Sequence, residues 1–339
     1  MKQTPEIRDS FSRPLRDLRI SVTDRCNFRC PYCMPAEIFG ETYEFLPKPE
    51  ILTFEEITRI ARLFVQLGVG KIRITGGEPL LRRELDRLIT ALKRIEGVTD
   101  LTLTTNGFLL EQMAEPLKRA GLDRLTVSLD SLDEKVFERM NGRDYGLDRV
   151  LKGISKAEGV GFYPLKINAV VQRGVNDHTI TELAKHFHGT GHILRFIEFM
   201  DVGTRNKWDL SEVVSGAEMV ERIGKELPLE PFEPNYPGEV AKRFRYLDGG
   251  GEIGIITSVT QPFCGECSRA RLSTDGNLFT CLFAEAGMDL RAPLRGGASD
   301  DEISKMIQDN WLQRTDRYSE LRSGAPGTSR KVEMYQIGG

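Results

Sequence analysis

Neither of the chain's two cysteine groups has a fourth member. The six cysteines of its 339 residues fall as Cys26-x3-Cys30-x2-Cys33 and Cys264-x2-Cys267-x13-Cys281, with none left over. Structural zinc is closed by four ligands, and histidine is the usual substitute for a missing cysteine. Histidine is scarce here and badly placed: His178, His186, His188 and His192 lie in one short segment far from both triplets. They read as polar positions on and after a helix. Long apolar runs are missing too. The stretch Ile60-Ala61-Arg62-Leu63-Phe64-Val65 is broken by charge, well short of the roughly 18 residues that a membrane span needs. A basic surplus is also lacking: the net charge of −3 gives no support for a nucleic-acid partner. The opening Met1-Lys2-Gln3-Thr4-Pro5-Glu6 is charged and has no apolar core of a signal peptide. Reduced thiols and a cytoplasmic location are therefore expected, and disulfide staples are not needed in a chain of this length.

What the cysteines can do follows from their number. Three thiolates in one compact loop occupy three corners of an iron–sulfur cubane and leave the fourth iron open to a ligand. The second triplet repeats this arithmetic, with two close cysteines and a third returning after a hairpin. Two reactive clusters are expected; zinc at both triplets is the competing reading.

Short β-branched runs alternate with helical patterns. Strands are expected near Leu18–Val22, Lys71–Thr75, Leu101–Thr105, Leu125–Leu129, Lys166–Val171 and Leu194–Phe199. Thr53-Phe54-Glu55-Glu56 is a capping box, followed by Ile57, Ile60, Ala61 and Phe64 at helical spacing; Leu85, Leu88, Ile89 and Leu92 form a similar stripe. Repeated βα units build a parallel sheet with right-handed crossovers, and six of them make an α/β fold: an incomplete TIM-like barrel. A polar motif ends each strand: the Cys26 loop, Gly76-Gly77-Glu78-Pro79, Thr104-Thr105-Asn106-Gly107, Ser128-Leu129-Asp130, Gln172-Arg173-Gly174 and Glu198-Phe199-Met200. Barrels carry their active sites at that rim. Prolines at 228, 231, 234 and 237 favour an extended connector over helix or sheet and divide residues 1–227 from a smaller α+β region, 228–339, that closes the open side. There, strands are expected at Phe244–Leu247, Ile253–Thr257 and Arg271–Ser273, with a turn at Thr274-Asp275-Gly276-Asn277, then a helix from Ser299 to about Trp311 and a flexible stretch at 323–327.

The first triplet, with Tyr32 before Cys33, resembles the cluster loop of the radical S-adenosylmethionine (SAM) enzymes, and Gly76-Gly77-Glu78-Pro79 resembles their methionine-binding motif. There Gly77 would let the backbone approach SAM, and the Glu78 region would offer acceptors to its ammonium. Arg19-Ile-Ser-Val-Thr-Asp-Arg-Cys26, Cys264-Gly-Glu-Cys267-Ser-Arg269-Ala-Arg271…Cys281 and the terminal Gly338-Gly339 narrow the resemblance to the GTP 3′,8-cyclases of molybdenum-cofactor biosynthesis, from Leu18 to the end of the chain. That family implies two [4Fe-4S] clusters, SAM, and a 5′-deoxyadenosyl radical that removes the C3′ hydrogen of GTP so that C3′ attacks C8. It also implies an electron donor such as a flavodoxin or ferredoxin, a cyclic pyranopterin monophosphate synthase downstream, and a homodimer. Carried over residue by residue, it gives Tyr32, Gly77, Ser128, Met200 and Arg195 to SAM. Arg19, Lys71, Arg73, Thr104, Lys166, Arg269, Ala270 and Arg271 go to GTP, with Arg269, Arg271, Gly338 and Gly339 acting in catalysis.

The residues themselves support a triphosphate. Arg19, Lys71, Arg73, Lys166, Arg269 and Arg271 gather in or beside motif loops of an acidic protein, and guanidinium forks grip phosphate oxygens bidentately. Arg269 and Arg271 alternate along a strand, so both face one side, expected to be the cluster's. The Gly-Gly end enters the site under this reading and is a frayed terminus under the plainer one. A peptide-modifying radical enzyme with an auxiliary cluster is the runner-up among enzymes.

Overall fold

The computed structural model describes residues 6–144, 146–236, 238–322 and 331–338. Six strands alternate with helices through the first part: β1 (Asp17–Ser21), α1 (Phe54–Gln66), β2 (Lys71–Thr75), α2 (Leu85–Lys93), β3 (Asp100–Thr105), α3 (Leu110–Arg119), β4 (Arg124–Ser128), α4 (Glu134–Asn141), α5 (Leu147–Gly159), β5 (Lys166–Val171), α6 (Ile180–Phe187) and β6 (Ile193–Glu198). After them come α7 (Gly216–Gly224), β7 (Leu229–Phe232), β8 (Lys242–Tyr246), β9 (Glu252–Ile256), β10 (Arg269–Leu272), β11 (Asn277–Phe279), β12 (Met288–Asp289), α8 (Arg291–Arg295), α9 (Asp300–Leu312), α10 (Tyr318–Leu321) and α11 (Met334–Ile337).

Alternation within strands explains the layers. In β2 Ile72 and Ile74 are fully buried while Lys71 and Arg73 face the other way, half-buried; Leu18 and Ile20 against Arg19 repeat the pattern in β1. The buried face receives the helices. All four apolar positions expected in each of α1 and α2 are buried, and the Thr53–Glu56 box closes in both directions, which satisfies two of the orphan amides at the start of α1.

The strands form one open sheet in the order β12-β11-β10-β1-β2-β3-β4-β5-β6-β9-β8-β7. Strands β1 to β6 are parallel to their neighbours, and two later strands extend the parallel run: β10 on the outer side of β1 and β9 on the outer side of β6. Antiparallel hairpins finish both ends. The proline-rich segment departs from expectation. Pro231 pairs with Phe244 inside β7, where the missing N–H is tolerated because β7 is an edge strand. Pro237 and the 323–327 stretch lie outside the described residues. No helix among the described residues is long and apolar enough to cross a membrane.

Candidate active site

The loop after β1 folds tightly on itself: the amides of Cys33 and Met34 both donate to the carbonyl of Cys30, at 3.0 and 2.8 Å. Sulfur acceptors are already engaged. Phe28 N–H donates to Cys26 Sγ at 3.4 Å, and Asn106 Nδ2 lies 3.9 Å from the same sulfur. Tyr32 Oη donates to Asp130 Oδ2 at 2.9 Å, while Asp130 Oδ1 accepts from Val170 N–H at 2.8 Å, which ties the cysteine loop to the ends of β4 and β5.

The Gly76–Pro79 strap packs directly on this loop. Gly77 N–H donates to Thr23 O at 2.7 Å and Glu78 N–H to Arg25 O at 2.8 Å. A Cβ on Gly77 would stand 2.3 Å from the Arg25 carbonyl oxygen, so this glycine is demanded by the chain's own backbone before any ligand is considered. The Glu78 carboxylate itself is engaged by the chain. It takes Leu80 N–H (2.9 Å), Thr105 Oγ1–H (2.8 Å) and Asn106 N–H (2.8 Å), joining the ends of β2 and β3. Burial pushes it up to about 7 against those three donors.

The second triplet sits on the turn Cys264–Glu266 and the β10–β11 hairpin. Arg269 Nη2 lies 3.3 Å from Cys267 Sγ, and Phe283 N–H donates to Cys281 Sγ at 3.4 Å. Burial raises Cys267, but Arg269 and Arg314 outweigh it and bring the thiol down to about 6, whereas burial pushes Cys281 up to about 11. In the first triplet burial dominates, followed at Cys26 by the Glu78 carboxylate: Cys26 rises to about 12, and Cys30 and Cys33 rise as well. None of the six is in a disulfide, and all line one cavity. Three thiols at each end of this cavity, with no fourth cysteine in the chain, are the donor set of a cluster that leaves one iron open.

Between the triplets the cavity face of the sheet carries two ladders of charge. In the first, Arg269, Asp17, Lys71 and Asp100 stand opposite one another on β10, β1, β2 and β3, with alternating sign. Lys71 Nζ lies 3.7 Å from each of the two carboxylates. The second ladder has no such balance: Arg271, Arg19 and Arg73 stand in register on three adjacent strands. Like charges directly opposite repel. Burial, then Arg271, Arg73 and Arg269, holds Arg19 well below the usual arginine range. Burial, then Arg269, lowers Arg271 to about 10; burial, then Arg73, lowers Arg195 to about 9; burial, then Arg195, lowers Lys166 to about 7. Two hydroxyls steady Arg73, whose Nη1 donates to Thr104 Oγ1 (2.9 Å) and Thr126 Oγ1 (3.2 Å), and Asn168 Oδ1 accepts from Arg195 Nε at 2.9 Å. The Arg271–Arg19–Arg73 row itself contains no carboxylate, and guanidinium forks on one wall suit the oxygens of an anion.

The C-terminal segment is seated, not frayed. Lys331 Nζ donates to Asp201 Oδ2 at 2.7 Å and to its carbonyl at 2.8 Å, and Glu333 accepts from Thr204 Oγ1 at 2.9 Å. Tyr335 and Tyr43 share a hydroxyl hydrogen bond of 2.9 Å. Arg271 Nη1 then donates to the carbonyl of Gly338, whose backbone is left-handed (φ +71°) and lies against Thr75. Gly339 lies outside the described residues.

The sequence-derived residues therefore sit in one cavity with few exceptions: Tyr32, Gly77, Ser128, Met200, Arg195, Arg19, Lys71, Arg73, Thr104, Lys166, Arg269 and Arg271 all line it. Ala270 does not; its methyl is packed into the core behind β10, so any contact it makes with a ligand is through its backbone. Two of the six rim motifs have structural work. Arg173 turns away to Glu218, and Glu198 is buried, accepting Gly216, Val259 and Thr260 amides at 2.8 Å each. Residues that the motifs did not single out also line the cavity, among them Tyr236, stacked near Lys71, and Arg314, behind Cys267. Their neighbours in sequence carry no signature, so only the fold brings them there.

Comparison with known proteins agrees with this geometry. The profile of the Radical SAM superfamily matches residues 20–187, and that of Molybdenum Cofactor Synthesis C matches residues 192–320. A GTP 3′,8-cyclase of Acidothermus cellulolyticus is 54% identical over 361 aligned positions, covering 99% of this chain and all of the relative. One of Xanthomonas axonopodis pv. citri is 50% identical, covering 99% of this chain and all of the relative. Among solved structures, native anSMEcpe with bound AdoMet and a Cp18Cys peptide superposes with a TM-score of 0.53 over 95% of this chain and 94% of its own, at 14% identity. At that identity the likeness is one of fold.

Proposed function

The chain belongs to the GTP 3′,8-cyclase family of radical SAM enzymes, and from that premise we propose how its cavity divides between two ligands. The enzyme uses SAM and two [4Fe-4S] clusters, and its reaction is the GTP cyclisation of molybdenum-cofactor biosynthesis. Cys26, Cys30 and Cys33 hold the SAM cluster, and Cys264, Cys267 and Cys281 hold the second. When loaded, the cofactors would supply a 5′-deoxyadenosyl radical to take the C3′ hydrogen of GTP; bonding of C3′ to C8, with uptake of one further electron and a proton, gives 3′,8-cyclo-7,8-dihydro-GTP. The protein's own work is positioning and exclusion of water.

Tyr32, Gly77, Ser128, Met200 and Arg195 bind SAM at the strand ends nearest the first loop. Arg19, Arg73, Thr104, Lys166, Arg269 and Arg271 bind GTP, with Lys71 and the Ala270 backbone at the edge. Gly338, whose carbonyl accepts from Arg271, and Gly339 act in catalysis with Arg269 and Arg271. The observation that carries this reading is the in-register row Arg271–Arg19–Arg73, three guanidinium groups with no carboxylate among them. A triphosphate supplies the missing negative charge. By this division residues 1–227 form the radical SAM barrel with the first cluster, and residues 228–339 carry the second cluster, while GTP draws on residues of both.

An electron donor such as a flavodoxin or ferredoxin, a cyclic pyranopterin monophosphate synthase that takes the product, a homodimeric state and a cytoplasmic location complete the proposal. The test is anaerobic incubation of reconstituted enzyme with SAM, dithionite and GTP, followed by mass spectrometry. Formation of 5′-deoxyadenosine together with a cyclised GTP isomer, lost when Cys264, Cys267 and Cys281 are replaced, supports it. Deoxyadenosine without any change in GTP overturns the substrate assignment.

A further inference from the structure

Behind the second cysteine triplet lies a buried charge cluster that none of the motifs includes. Asp9 is its centre. Its Oδ2 accepts from Arg13 Nε at 2.6 Å and lies 3.4 Å from Arg314 Nη1, and its Oδ1 takes the amides of Phe11 and Arg13 at 3.0 and 2.9 Å. All three side chains are almost wholly removed from solvent, at 0 to 2% exposure.

Each arginine reaches outward to the cysteine loop. Arg13 Nη1 donates to the carbonyl of Cys264 at 2.9 Å and to that of Asp316 at 2.7 Å. Arg314 Nη1 donates to the carbonyl of Cys267 at 2.6 Å, and its guanidinium lies 4.6 Å from the centre of the Trp311 ring. The third cysteine is reached through its neighbour: Thr280 Oγ1 donates to Asp316 Oδ2, which Arg314 Nε also approaches at 3.3 Å. The N-terminal segment, the segment after α9 and the cysteine loop thus meet at one point.

Burying two guanidinium groups, even against Asp9 and Asp316, is costly in desolvation, and a hydrophobic replacement of the same shape often stabilises a fold as well or better. Such a cluster is better explained by what it positions. The Arg314 guanidinium, paired with both Asp9 and Asp316, also stands directly behind Cys267, and charge near an iron–sulfur cluster is one of the protein's means of setting its potential.

We propose that Asp9, Arg13 and Arg314 are positioning residues for the second cluster: they fix the Cys264, Cys267 and Cys281 backbone for GTP-dependent work while leaving the SAM cluster independent. This rests on the two-cluster reading above. The test compares wild type with Arg13→Met, Arg13→Lys and Arg314→Met after the same anaerobic reconstitution. Iron and sulfide per chain, the electron paramagnetic resonance spectrum with and without SAM or GTP, and the redox titration of each cluster signal are read on each protein.

In the Met variants roughly half of the iron is expected to be lost, or retained with a shifted second-cluster potential. In both cases the GTP-induced spectral change disappears and the SAM-induced change persists. Persistence of the SAM response shows that the variant has folded. Arg13→Lys, with one ammonium in place of a fork, should keep its iron but weaken the GTP response, which covers the case in which a Met variant does not fold. Full iron, unaltered potentials and an unaltered GTP response in a folded variant overturn the proposal. A wild-type protein that shows only one cluster signal, or no response to GTP, overturns the two-cluster reading instead.

Discussion

Arg271 donates through Nη1 to the carbonyl oxygen of Gly338, so one buried side chain joins β10, the strand that follows Cys267, to the C-terminal segment. The same guanidinium stands in the row with Arg19 and Arg73. Arg271→Ala is expected to lower GTP cyclisation roughly 10- to 100-fold, the loss of one or two charge-assisted hydrogen bonds. SAM-dependent 5′-deoxyadenosine formation should continue. Arg271→Lys should recover only part of the difference, since an ammonium lacks the fork. Parallel loss of both products, followed by mass spectrometry, counts against a GTP-specific role.

Gly77→Ala tests the strap on the first loop. The new methyl would sit 2.3 Å from the Arg25 carbonyl oxygen and 2.6 Å from its carbon, and backbone cannot swing aside as a side chain can. Overpacking of this kind costs about 1–3 kcal/mol, and here the strain falls on the residue before Cys26. SAM cleavage should drop to background with loss of iron from the first site, measured by iron content and deoxyadenosine yield. Wild-type cleavage would show that the strap and loop yield to each other.

Lys166 gives a pH dependence with a definite sign. Burial, then Arg195 and other nearby cations, lowers it to about 7, so it loses its charge as pH rises through neutrality. For the unliganded fold the lowered value means that stability from this group is gained as pH rises above about 7 towards its unfolded value, because the unfolded chain then holds the extra proton. Triphosphate binding has the opposite sign, favouring the protonated amine. The GTP-induced rise in melting temperature should therefore shrink between about pH 7 and pH 8.5, and Lys166→Met should flatten that trend. An equal pH trend in the variant would move the effect to another group.

Lys331 anchors the terminal segment on Asp201, with both side chains about 5% exposed. Removing one partner of a buried pair costs about 3–5 kcal/mol, although Arg322 and Tyr318 still bind Asp201 and will soften that figure. Lys331→Met should accelerate hydrogen exchange across residues 332–338 and reduce cyclisation more than SAM cleavage. Unchanged exchange would mean that the Tyr335 and Glu333 contacts suffice to hold the segment.

Much of this was legible because local chemistry and tertiary role coincide. Lys-Ile-Arg-Ile-Thr at 71–75 names a strand, its buried face and its cationic face at once, and Thr53 with Glu56 names a helix start. The sequence does not say that Arg271 will stand beside Arg19, since β10 joins β1 only through a pairing distant along the chain. Proline spacing misled at Pro231, because an edge strand tolerates a missing N–H that an interior strand would not. Nor does the motif reveal that the chain holds the Glu78 carboxylate with three donors of its own. Arg13 and Arg314 carried no signal: a buried arginine and an exposed one are spelled alike.

The placement of β9 and β10 on the outer sides of β6 and β1 bears on how the molecule is made. A ribosome releases β1 to β6 long before either flanking strand, so the nascent polypeptide carries two bare parallel edges and three unprotected thiols. Hydrogen-bonding groups on those edges invite other chains, and pairing between distant segments is slow to form. Cells that overproduce the protein should accordingly gain more from slower translation or added chaperone than from additional iron alone. A shortened gene product ending before β9 would aggregate instead of persisting as a smaller SAM-cleaving enzyme.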